Sequence, residues 1–141
     1  MEVYYIIIPL SKQNETAFNE ELQLLFPFAT LKYVEVKEQK ALVVYKNIEV
    51  LLASRRCAEE QAYAVDDNIA LFSRNHPYLK IAVIELLSTG ANSFYQGYVL
   101  KNKKKVLEHS NLHDGHIPLL KEVLVHYEGP DFEAFSTDFV T

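Results

Sequence analysis

The chain alternates short apolar runs with longer amphipathic stretches. Residues 3–8 (VYYIII) are continuously apolar, β-branched and aromatic, which predicts a strand buried on both faces and therefore central in its sheet. Pro9 closes that run. Ser11 or Asn14 is placed to cap a first helix, with Phe18, Leu22 and Leu25 on one face and Glu15, Glu20 and Glu21 on the other; Pro27 stops it. Residues 31–36 and 41–45 read as a second and a third strand. The polar link 37–40 between them is short enough for a hairpin, although it has no Asn-Gly or Asp-Gly pair.

The longest stretch with one period is 47–76. Leu51, Ala58, Ala62, Val65, Ile69 and Phe72 follow at steps of three, four and seven, which predicts one long amphipathic helix. Asn47 can cap its start and Glu49 suits the dipole of its first turn. Asn75-His76-Pro77 ends it, because a residue before proline is pushed out of the helical region. Residues 80–87 form a fourth strand, almost wholly apolar. Residues 94–101 and 104–110 form two more, with Asn102-Lys103 as the turn and Gly97 marking a bulge or a close approach of backbone. After a loop over 111–117, Pro118 suits the first turn of a last helix that gathers Leu120, Val123, Leu124 and Tyr127 on one side, and Gly129-Pro130 ends it.

The expected class is α+β. The order β-α-β-β-α-β predicts a ferredoxin-like core, a mostly antiparallel sheet with two helices on one face, extended by a β-hairpin and a C-terminal helix. With 141 residues and no internal repeat or linker, residues 1–141 read as a single globular domain. Residues 128–141 form an acidic-aromatic segment with Phe132, Phe135 and Phe139 three and four apart, suited to docking.

Composition narrows the function. A chain 49% hydrophobic can build its own core. The single cysteine, Cys57, rules out an internal disulfide and reads as a small buried hydrophobe. Residues 3–8 follow Glu2 rather than a basic region, so no secretory signal is expected, no run is long enough for a bilayer, and the default location is cytoplasmic. The net charge of −5 argues against nucleic-acid binding, which calls for a basic face. The one basic cluster (Lys101, Lys103, Lys104, Lys105) falls at the predicted hairpin tip, where charge protects an exposed turn.

Four residues carry metal-ligand chemistry: His109, His113, Asp114 and His116. Neutral imidazoles and a carboxylate can hold zinc or a similar ion, and a bound metal could activate water for hydrolysis. Gly115 and Pro118 argue instead for a surface loop, and the spacing matches no His-Glu-x-x-His or Cys-pair pattern. Glu59-Glu60 and Asp66-Asp67 are acidic pairs that read more simply as a solvated face than as acid–base machinery. Nucleophile-elbow and phosphate-loop patterns are absent, so no cofactor is expected.

The expectation is a non-enzymatic binding protein that docks on a basic protein. On physical type alone, its most concrete form is an immunity or inhibitor protein that neutralises a nuclease toxin. Its contacts would be Glu59, Glu60, Asp66 and Asp67, together with Asp131, Phe132, Glu133, Phe135, Asp138 and Phe139 of the tail. The alternatives are the metal-assisted hydrolase and a homo-oligomeric assembly subunit, the latter using a sheet edge or an uncovered face.

Overall fold

A computed structural model describes residues 2–11, 18–36, 38–55, 57–89, 92–112 and 114–124. The acidic-aromatic tail, Asn14, Glu15, His113 and Tyr127 lie outside them. The class is α+β: among the described residues there are six antiparallel strands in one sheet and five helices. The strands are β1 (Glu2–Pro9), β2 (Thr30–Val36), β3 (Gln39–Asn47), β4 (Lys80–Thr89), β5 (Asn92–Lys101) and β6 (Lys104–Leu112). The helices are α1 (Asn19–Leu25), α2 (Ile48–Ser54), α3 (Glu59–Tyr63), α4 (Asp66–Asn75) and α5 (His116–Val123).

Strand order across the sheet is β2-β3-β1-β4-β5-β6, so the two most continuously apolar strands, β1 and β4, lie side by side in the middle. Alternation divides each of them between two cores. Ile6 and Ile8 of β1 join Ile81 and Val83 of β4 under α1 and α4, with Phe18, Leu22, Ile69 and Phe72. Val3, Tyr5 and Ile7 join Ala82 and Ile84 on the other face, under Leu119, Leu120 and Val123 of α5. The sheet therefore carries helices on both faces. The α1–α4 layer is tied at its end by Glu21, whose carboxylate accepts from Asn75 Nδ2 at 2.8 Å and meets His76 Nε2 at 2.6 Å.

The single long helix expected over 47–76 is a series of three. Its start and end hold: Asn47 Oδ1 accepts from Val50 N at 3.2 Å, and helix stops at Asn75. Between them the chain leaves the helical path at Arg55, which is left-handed at φ 56°, and again at Ala64–Val65. Side-chain donors take up carbonyls that a continuous helix would have used. The buried Lys46 of β3 donates through Nζ to Gln61 O at 2.9 Å and Ala64 O at 3.5 Å. Asn68 Nδ2 donates to Ala64 O at 3.1 Å and to Leu25 O at 2.9 Å. The second half of the apolar stripe survives because Val65, Ile69 and Phe72 still face one core and Ala62 is buried, while Ala58 is exposed.

Two of the hairpin turns use left-handed backbone. Glu38 has φ 68° in the β2–β3 turn, and Asn102 and Lys103 have φ 51° and 67° in the β5–β6 turn. Gly97 marks a close approach of backbone, and the bulge lies elsewhere, since Gly97 itself pairs in register with Ile84 and His109. A Cβ there would collide with the Val83 carbonyl oxygen of β4 and lie 3.0 Å from Leu119 Cδ1. Two residues on, the β5–β6 register shifts between Val99 and Leu100, and Val106 is the extra residue of a bulge.

Candidate functional site

The sheet is wider than its helical cover. On the face shared with α1 and α4, the part of β4, β5 and β6 beyond the start of α4 is left open, and a pocket of about 470 Å³ lies there. Strand register builds its floor. Tyr4, Glu85, Gln96 and Ser110 stand directly opposite one another across β1, β4, β5 and β6. The next row of the same face brings Val83, Tyr98 and Glu108 into line. Asp66, in the first turn of α4, forms one wall, and Lys105 of β6 the other.

The polar groups are organised around carboxylates. Gln96 Nε2 donates to Glu85 Oε1 at 2.5 Å, and the Tyr4 hydroxyl is hydrogen-bonded to the same carboxylate. The Tyr98 hydroxyl donates to Asp66 Oδ1, closing the pocket between α4 and β5. Burial, then the neighbouring carboxylates (Glu85 for Tyr4, Asp66 for Tyr98), push both phenols well above the usual tyrosine range. The two tyrosines are thus fixed donors that hold Glu85 and Asp66 in place. Lys105 Nζ lies 4.6 Å above the Tyr98 ring and 3.0 Å from Glu108 Oε1. Three carboxylates (Asp66, Glu85, Glu108) therefore face one ammonium in the pocket lining, and the site is acidic.

Of the acidic residues expected at a contact surface, Asp66 lines this pocket. Asp67 lies beside it on α4 and lines a separate groove with Arg74 and Lys103, and Glu59 and Glu60 are exposed in the first turn of α3. The contacts expected in the tail lie outside the described residues. Of the three histidines expected to share a metal, His109 and His116 are described. His109 is on β6 opposite Gly97, with a buried Nδ1 that finds no hydrogen-bond partner among the described residues. His116 opens α5, buried with its ring 4.2 Å from that of Tyr95, and burial lowers its pKa despite the attraction of Asp114. Asp114 is exposed in the turn before α5. Among the described residues, no three His, Cys, Asp or Glu side chains converge as metal ligands.

Pattern reading missed Glu85, Gln96, Glu108 and Lys105 as members of one site. A signal for Glu85 was available: it is the lone carboxylate inside an otherwise apolar strand, where an acid needs a partner or a purpose. Among the described residues, no helix is long and apolar enough to cross a membrane. No protein-family model, curated protein or solved structure matches the chain.

Proposed function

We propose that the chain is a non-enzymatic binding protein that docks on a basic protein through the acidic face around the sheet pocket. One observation carries this reading: the sheet opens into a pocket whose charged lining is three carboxylates to one ammonium, with the hydroxyls of two half-buried tyrosines holding two of the acids in position. Pre-oriented carboxylates favour a cationic partner, and aromatic rings beside them supply contact area at low entropic cost. Asp67 extends the same charge along α4. In its most concrete form the protein is an immunity-type inhibitor whose acidic, tyrosine-bearing surface covers the basic active site of a nuclease.

The underlying core is proposed to be ferredoxin-like. The neighbour order β2-β3-β1-β4 and the packing of α1 and α4 on one face support this, with β5, β6 and α5 as additions. Those additions supply two of the strands that floor the pocket.

The test is a tagged pull-down with mass spectrometry at about 0.15 M salt, where weak surface attraction is screened, run beside the charge-neutralised variant Asp66→Asn/Asp67→Asn. A stoichiometric basic protein held by the parent and lost by the variant is the expected result. A partner held equally by both, or an acidic partner, refutes the reading.

A further inference from the structure

We propose that the sheet pocket receives the guanidinium of a single arginine side chain presented by that basic protein. The inference rests on the binding-protein reading and names the group that the site is built to hold.

The chain itself shows that the Tyr98 ring accepts a cation: Lys105 Nζ sits over it at 4.6 Å while pairing with Glu108. An ammonium there uses the ring face and one carboxylate. A guanidinium offers more, because it is flat enough to stack on the ring and carries a rigid fork of donors for a carboxylate. The acceptors for that fork are present. Glu85 and Asp66 border the pocket from β4 and α4. Glu85 accepts from Gln96 and Tyr4, and Asp66 accepts from Tyr98. A carboxylate has about four lone-pair positions, so each keeps acceptor capacity after its internal bonds are made. Those bonds also lower the entropic cost of binding, since the acceptors are held before the ligand arrives.

The shape agrees with a side chain entering from a larger body. At about 470 Å³ the pocket exceeds what one arginine side chain fills, and it opens beside β6, an edge strand of the sheet. Lys105 then acts as a resident competitor, an internal cation that an incoming arginine displaces from Tyr98.

The experiment is a titration of the isotope-labelled full chain, followed by amide chemical shifts, with N-acetyl-arginine methylamide. The lysine analogue and the neutral citrulline isostere serve as comparisons. Concentrations reach about 20 mM, well above the millimolar Kd of a single anchored side chain. The arginine compound is expected to shift the amides of Asp66, Glu85, Gln96 and Tyr98, with weaker shifts from lysine and none from citrulline. Glu85→Gln should weaken binding roughly tenfold, as loss of one charge-assisted fork implies. Lys105→Ala, an exposed position that tests the competition without touching the acceptors, should tighten it about threefold. Equal shifts from citrulline, shifts confined to other residues, or no shift at the top concentration overturn the proposal. So does a captured protein partner that binds Glu85→Gln as tightly as the parent. Arginine binding in this pocket with no protein captured overturns the protein-docking reading instead, and with it the source assigned to the arginine.

Discussion

Adding one methyl group at Gly97 tests how closely β4 and β5 approach beneath the pocket. A Cβ built there would collide with the Val83 carbonyl oxygen and stand 3.0 Å from both the Val83 carbonyl carbon and Leu119 Cδ1, where ordinary contact begins at 3.4 Å. The obstacle is backbone in the neighbouring strand, so no rotamer change relieves it. Strand β5 has to move away by about 1 Å from a partner that ideally lies ~4.8 Å distant. That stretches adjacent ladder bonds from ~2.9 Å beyond the range in which they hold. Two such bonds at about 1 kcal/mol each, with overpacking of about 1–3 kcal/mol, oppose the ~0.5–1 kcal/mol that alanine recovers from the unfolded chain. Gly97→Ala should therefore lose about 3 kcal/mol. For a chain of this size that lowers Tm by roughly 10 °C. Urea and thermal unfolding followed by circular dichroism measure both quantities. A variant within about 0.5 kcal/mol of the parent, the usual spread of an innocuous surface change, would refute the close approach.

Asn47→Ala removes the acceptor for Val50 N and should cost about 1 kcal/mol in urea unfolding; an unchanged midpoint would mean that the cap contributes nothing. Spectrophotometric titration should leave Tyr4, Tyr5 and Tyr98 un-ionised in the folded chain past the ordinary tyrosine value, since burial raises all three. Because their folded pKa values lie above the unfolded value of about 10, the stability they contribute is complete below that pH and is lost as pH rises past it. Ionisation of these three at the ordinary value before unfolding would contradict this. Burial lowers the pKa of His116, so the native state binds its proton less readily than the unfolded chain does. Stability should be full above pH ~6.5 and fall below it. His116→Phe, which keeps a ring against Tyr95, should flatten that acid limb; an unaltered pH profile would assign it to other groups.

Much of the fold is legible in local pattern. A run such as residues 3–8 has no polar side to turn to water, so it has to lie between two covered faces, and β1 does. Asn47 caps a helix, Pro77 follows the end of one, and Gly97 marks a crowded backbone, because each depends on chemistry within a few residues of itself or on what a side chain would exclude. The site was legible only in fragments: Asp66 as part of an acidic pair, Tyr4 and Tyr98 as tyrosines on strands. Their meeting depends on register. Tyr4, Glu85, Gln96 and Ser110 are far apart in the chain and become one row only when β1, β4, β5 and β6 pair in that order.

The breaks between α2, α3 and α4 were hidden for a related reason. Two short helices, α3 and α4, keep the phase of the stripe with Ala62, Ile69 and Phe72 buried, and what separates them is a lysine from β3 and an asparagine side chain that take up the freed carbonyls. The sequence by itself determined where apolar surface must be buried and which residues can start, stop or turn a segment, because those are constraints on neighbours along the chain. Only the tertiary structure decided which strands are adjacent, which carbonyls find a distant donor, and which carboxylates face one another across an open stretch of sheet. Those are properties of groups brought together through space, and hydrophobic periodicity carries no record of them.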